Sequence, residues 1–107
     1  MRVFDAGTYV LPPEAGNHYR EHLRVADLSA GTYCIPAGGV DTQSPHTEDE
    51  IYVVLSGRGR LRGGDDVVDV GPGSAVYVPA GEEHRFTDVV ADLTVLVLFA
   101  PAEGSRR

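Results

Sequence analysis

Short extended segments separated by turn residues are the feature that most constrains this fold. Thirteen glycines and seven prolines divide the chain, and the segments between them are rich in the Val, Ile, Tyr, Thr and Leu typical of β-strands. Spacing of roughly 8–12 residues between strands indicates an all-β sandwich or small barrel. The segment 17–24 has a helical pattern but is too short to anchor a fold. The predicted strands are 23–28, 31–35, 51–56, 59–62, 67–70, 75–79, 84–89 and 93–99, with turns at 36–39, 56–57, 63–66, 71–74, 79–83 and 90–92.

Length and composition predict one folded domain over residues 1–107. No apolar run approaches the ~20 residues that a membrane helix needs, and the N-terminus lacks the pattern of a secretion signal. The single cysteine, Cys34, cannot form an internal disulfide and is expected in the core. We therefore expect a cytoplasmic protein.

The charge of this chain excludes two classes of partner. The net charge is −7 and there is no lysine, which argues against binding nucleic acid or an anionic membrane surface. Arg58, Arg60 and Arg62 are the only basic cluster; at a period of two they share one strand face. We expect that face to be solvated, with acidic partners on the neighbouring strand.

The stretch "PHTEDE" at residues 45–50 places one histidine and three acids directly before the apolar run "IYVVLSG". Adjacent carboxylates repel one another and solvate well, so one interpretation is a hydrated loop. The other is that His46 and one of these acids bind a cation. These residues by themselves leave both interpretations open.

A second stretch, "GSAVYVPAGEEHRFTD" at residues 73–88, favours the cation. Its spacing of glycine, proline and histidine, together with that of His46, Glu50 and Gly57, resembles the two motifs of the cupin superfamily. The first motif covers about residues 39–57 and the second about 73–88. The resemblance implies a small single-domain cupin with a jelly-roll β-barrel, also called a double-stranded β-helix.

The resemblance implies a metal site formed by His46, Glu50 and His84. A straight strand would hold His46 and Glu50 about 13 Å apart, whereas ligands lie about 2 Å from a metal ion. The chain between them must therefore fold back. Two imidazoles and one carboxylate form a facial site suited to a divalent Fe, Mn, Ni, Co or Zn ion.

The first motif departs from the family pattern at Ser44, where cupins usually have a second histidine. Gln43, through its amide oxygen, or a water would complete the shell; alternatively, the site is weak or lost. Glu48 is a rival ligand, because it lies two residues from His46. Otherwise Glu48 and Asp49 are expected to be solvated, and the tail 102–107 to be frayed.

Side chains near the expected ligands are candidates to line a pocket. Tyr52 and Val54 follow Glu50 at a period of two and should point inward with it, and Phe86 follows His84 in the same way. His18 and His22 would be spaced to bind zinc if residues 17–24 were helical, but no third ligand lies nearby. They are expected on the surface or in a lid, from which His22 would touch a bound molecule.

Two functions from different classes remain open from the sequence. The first is a metal-dependent enzyme acting on a small organic substrate, with a dioxygenase slightly favoured over an isomerase or lyase. The alternative is a non-catalytic cupin barrel that binds a small ligand, which Ser44 supports. We also expect a homodimer in which residues 1–12 or 23–35 pack on the second subunit, because a short chain with edge strands invites pairing.

Overall fold

The computed structural model describes residues 1–7 and 16–106 and is all-β in these ranges, which confirms the predicted fold class. Every strand pairing is antiparallel, in the order β1-β2-β6-β3-β4, and β5 pairs with β3. None of the described residues belongs to a helix long and apolar enough to cross a membrane. The strands are β1 (His18–Val25), β2 (Leu28–Ile35), β3 (Asp49–Gly63), β4 (Asp66–Val70), β5 (Ala75–Val78) and β6 (His84–Ala100).

β3 and β6 are the two longest strands, and they pair with each other. β3 has 15 residues and β6 has 17, and they pair along most of their lengths with register shifts between Val54 and Arg60. β5 pairs with the first part of β3 and β4 with its last part. A shifted register bends a strand and increases its twist. The bend therefore allows β3 to pair with β5 near its first residues and with β4 near its last.

Several predicted turn and strand boundaries are wrong. The expected turns at 56–57 and 90–92 lie inside β3 and β6. Gly57 has a φ of 91° and Asp88 a φ of 49°, a geometry that suits a bulge as well as a turn. Residues 18–24 of the helical-looking segment form a strand, and Ala26 and Asp27 make the turn to β2.

The inner face of the barrel follows the period of two expected for β3. Tyr52 pairs with Val97 and Val54 with Val95 in the register of β3 and β6, and all four are buried. Glu50 belongs to the same inward row. The core therefore continues directly into the polar end of the barrel. The core residues are Ile35, Tyr52, Val54, Leu61, Val70, Val78, Phe86, Val89, Leu93, Val95, Val97 and Phe99.

The predicted arginine face is present on the outside of β3. Arg58, Arg60 and Arg62 are all exposed. Arg60 donates to Asp69 of β4 at 3.0 Å and lies 3.7 Å from Asp88. These exposed pairs contribute little to stability.

Candidate metal centre

The loop before β3 delivers His46 to the end of the barrel. The His46 carbonyl accepts a hydrogen bond from the Gly81 N–H at 2.8 Å, and the Ala80 N–H donates to Asp49 Oδ1 at 2.8 Å. Gly81 makes its turn with a φ of 79°, a conformation that glycine adopts without steric cost. The turn before His84 therefore fixes the backbone of His46 and the side chain of Asp49.

His46, Glu50 and His84 converge as the motif spacing implies. Each offers one ligand atom, and these atoms lie within 4.8 Å of one another. Glu50 Oε1 lies 2.8 Å from His84 Nε2, and both side chains are only 1% exposed. Among the described residues, neither Glu50 oxygen has a partner with hydrogen-bond geometry. A buried carboxylate in this state is costly unless a cation compensates it, so the residues fit a metal ion.

His84 has the orientation expected of a metal ligand. Its Nδ1 lies 2.9 Å from the Glu82 carbonyl oxygen; because a carbonyl only accepts, Nδ1 carries the proton. Nε2 then faces Glu50, and it lies 2.9 Å from the Tyr52 hydroxyl. Fixing one ring nitrogen through a backbone carbonyl is how proteins commonly orient histidine ligands.

The electrostatics of His84 favour a positive charge beside Glu50. Burial lowers the pKa of His84, but the contact with Glu50 and the hydrogen bond to Glu82 outweigh it, and the net effect raises the pKa. A proton on Nε2 supplies this positive charge. A metal cation bound in place of that proton would supply the positive charge equally well.

Gln43, and not Ser44, turns toward the cluster. The Gln43 side-chain nitrogen donates to Asp41 Oδ2 at 2.7 Å, which directs Oε1 the other way. That oxygen lies 3.0 Å from His46 Nε2 and accepts from the Tyr52 hydroxyl at 3.2 Å. Ser44 is exposed.

Asp41 is a buried residue that the sequence reasoning missed. Its carboxylate is 1% exposed and accepts from the Tyr33 hydroxyl, the Gln43 backbone and side chain, and the Phe86 N–H. The bond to the backbone two residues ahead is an Asx-turn, a local signal that the "DTQ" sequence offered. Asp41 thereby fixes the direction of Gln43.

Glu48 is not a solvated loop residue, contrary to expectation, and it is not part of the metal cluster. It is 1% exposed and accepts from the N–H groups of Gly104 and Arg106 at 2.8 and 3.1 Å, as well as from the Thr47 hydroxyl. The described part of the tail is therefore held, not frayed. Asp49 is half-buried through its bond to Ala80.

The held tail adds a side chain that the sequence reasoning also missed. Glu103 Oε2 lies 3.5 Å from His46 Nδ1. Glu103 belongs to the lining of a cavity of about 210 Å³ beside the cluster. No local signal indicated it, because Glu48 brings the tail here from a distant part of the sequence. The lining residues are Tyr19, Tyr33, Gln43, His46, Tyr52, Val97, Phe99 and Glu103.

Of the predicted pocket residues, Tyr52 lines this cavity, whereas Val54 and Phe86 lie in the core behind it. His22 was wrongly expected at the pocket. Its Nε2 lies 2.7 Å from Thr32 Oγ1, and its ring stacks on Phe4. Because adjacent strand residues point to opposite faces, Thr32 points away from the cavity that Tyr33 lines. His22, which contacts Thr32, therefore lies on the face opposite the cavity. His18 is exposed in the same strand, so no helical zinc pair forms.

Comparisons with known proteins agree with this geometry. Residues 31–99 match the family model of the cupin domain. An uncharacterized protein of Streptomyces coelicolor is 46% identical over 86 residues, which cover 80% of this chain and 82% of that protein. An RmlC-like cupin structure from Desulfovibrio desulfuricans is 21% identical with a TM-score of 0.78, covering 95% of this chain and 98% of that one. The structure of KdgF from Halomonas sp. is 25% identical with a TM-score of 0.74 and covers 85% of each chain.

Proposed function

This chain belongs to the cupin domain family, and from that premise we propose that it is a metal-dependent enzyme acting on a small organic molecule. His46, Glu50 and His84 would hold one divalent Fe, Mn, Ni, Co or Zn ion. Gln43 is proposed as a fourth ligand or as the group that orients His46. The observation that carries the proposal is the convergence of the buried Glu50 carboxylate with two imidazoles, whose ligand atoms all lie within 4.8 Å of one another.

The cluster suits chemistry that needs an ion and a hydrogen-bond donor side by side. A bound divalent ion would supply Lewis acidity, or oxygen activation if it is redox-active. Tyr52 lines the cavity and holds a proton on its hydroxyl, since burial and the nearby Glu50 charge raise its pKa. Val97 and Phe99 supply apolar surface to the cavity wall.

Three protein ligands leave coordination positions open, which is the reason to favour a dioxygenase over an isomerase or lyase. The second candidate function is a non-catalytic cupin that binds a small ligand. It is favoured by the exposed position of Ser44, because this chain lacks the histidine that most cupins place there.

Metal analysis followed by oxygen-uptake measurements tests the proposal. Purified protein loaded separately with each of the five metals would be screened with a panel of small carbonyl compounds and carboxylic acids. We expect turnover with at least one metal and its loss in Glu50→Gln, with Tyr77→Phe as a control on the exposed surface. Metal-loaded protein that binds panel compounds without turning them over would favour the non-catalytic cupin.

A further inference from the structure

We propose that the cavity beside the metal cluster selects an uncharged small molecule that carries a hydrogen-bond acceptor, with Tyr19 and Glu103 as the residues that determine this specificity. The inference rests on the proposed function, because it names the class of substrate that the same site would take. It is carried by three properties of the cavity: its size, its unused donor and its charge.

The size of the cavity suits a compact molecule. Its volume is about 210 Å³, and an apolar cavity of about 150 Å³ is enough to hold benzene. Val97 and Phe99 provide apolar surface, whereas the tyrosines, Gln43 and His46 provide polar groups. A largely apolar wall with a few fixed polar groups is typical of small-molecule sites.

Tyr19 provides a donor that no other described group uses. Its hydroxyl is buried and has no hydrogen-bond partner among the described residues, whereas Tyr33 donates to Asp41 and Tyr52 to Gln43. The Tyr19 ring lies directly over Gly31, where a Cβ would collide with its hydroxyl end. The ring is therefore fixed at the cavity wall, and we expect its hydroxyl to donate to an acceptor on a bound molecule.

The protonation state of Tyr19 supports the same role. Burial raises the pKa of its hydroxyl, and the negative charge of Glu103 raises it further. The group thus stays protonated at neutral pH and acts as a donor.

The charge of the cavity disfavours an anion. Glu103 supplies a carboxylate to the lining, and none of the described lining residues is an arginine. Arg24 lies outside the lining: it donates to the Glu103 backbone carbonyl at 2.9 Å and pairs with Glu21 at 2.8 Å, so its charge is shared between two glutamates. With both carboxylates ionised, Glu50 and Glu103 balance one divalent ion, so an anionic ligand would leave a net negative charge in a partly buried site. Asp41, behind Gln43, adds further negative potential.

A matched pair of probes tests this selection: benzamide and benzoate, which share a skeleton and differ in charge. Binding to chelator-treated, metal-free protein would be followed by chemical shifts in NMR titrations, so that benzoate cannot gain affinity from a metal ion. We expect benzamide to perturb residues of the cavity and to bind at least about tenfold more tightly than benzoate, a difference of about 1.4 kcal/mol.

Two conservative variants assign the selection to the named residues. Tyr19→Phe should weaken benzamide about fivefold or more, whereas Tyr77→Phe on the outer surface should leave its affinity unchanged. Glu103→Gln should strengthen benzoate about tenfold and change benzamide little. Each variant would first be checked for native stability by urea unfolding.

The proposal is overturned if benzamide does not bind, if benzoate binds as tightly in the wild type, or if Glu103→Gln leaves the ratio unchanged. Its failure is separable from failure of the proposed function. Metal binding is measured on its own, and a metal-binding protein without this selectivity would retain the enzyme proposal and lose only the substrate class.

Discussion

Glu48 and Glu50 lie two residues apart and are both buried, yet they have different surroundings. Glu48 is surrounded by N–H groups of the C-terminal turn, while Glu50 faces an imidazole and lacks hydrogen-bond partners among the described residues. A carboxylate that accepts backbone N–H groups is stabilised as an anion without a cation. Spacing in the sequence could not separate the two, because the loop before β3 does not keep the period of a strand.

Replacing Glu48 should affect stability and not metal binding. In Glu48→Gln the amide retains one oxygen but loses the charge that the Gly104 and Arg106 N–H groups face. We expect the free energy of unfolding to fall by about 1–3 kcal/mol in urea titrations, with the stoichiometry of bound metal unchanged.

The matched control for Glu48→Gln is Asp49→Asn, which alters a half-buried carboxylate with one backbone partner and should cost less. If Glu48→Gln kept its stability but lost its metal, Glu48 would be a ligand and its assignment to the C-terminal turn would be wrong.

At the scale of elements, the bulges in β3 and β6 explain which parts of the fold could be predicted. The strand signal and the cupin motifs were enough for the all-β class and for Glu50 and His84. The sequence predicts turns at Gly57 and Asp92, because turns and bulges use the same residue types and only pairing with a distant strand distinguishes them. Tyr19 and Glu103 could not be placed at the site for a similar reason: they reach it through contacts between segments far apart in the sequence.

Gly57 provides a test of the bulge. A Cβ at this position would collide with the backbone carbonyl of Asp92 and lie 2.8 Å from the Leu93 Cα, so β3 and β6 would have to separate. Gly73 has the same φ of 91°, but a Cβ there would meet nothing within 4 Å.

Both Gly57→Ala and Gly73→Ala should cost about 1–3 kcal/mol from backbone strain. Only Gly57→Ala adds a clash, which we expect to lower stability by at least about 1 kcal/mol more. Equal losses in thermal or urea unfolding would mean that the bulge does not need the close approach of the two strands.

At the scale of the whole molecule, the described part of the chain presents an apolar sheet face that is available for assembly. Residues 28–35, part of a predicted contact region, are mostly buried within the chain. Residues 4–6 contact β1 and β2 through Phe4 and Ala6, and residues 8–12 lie outside the described ranges. The outer apolar face instead combines β3, β5 and β6, with Ile51 41% and Tyr77 59% exposed. It comprises Ile51, Val53, Ala75, Tyr77, Leu96 and Leu98.

We predict a homodimer through this outer apolar face, since exposed apolar patches of this kind mark interaction sites. Light scattering at micromolar concentration should give the mass of two chains. Tyr77→Glu should reduce it to that of one chain, whereas Val90→Glu, at a residue that is 74% exposed elsewhere, should not. A wild-type mass of one chain would contradict the prediction.

The single-domain organisation and the cytoplasmic location also stay predictions.

The most direct test of the central claim is a metal titration by calorimetry, with elemental analysis of the loaded protein, on wild type, Glu50→Gln and Asp49→Asn. Glu50 lines the cluster, and Asp49 is the adjacent acid that faces the Ala80 N–H instead. We expect one divalent ion per wild-type chain for at least one of Fe, Mn, Ni, Co or Zn. Because loss of a ligand costs more than the roughly 10–100-fold expected from an outer partner, Glu50→Gln should nearly abolish binding, and Asp49→Asn should change it little. Absence of a stoichiometric ion from wild type, or equal binding by Glu50→Gln, would contradict the metal centre.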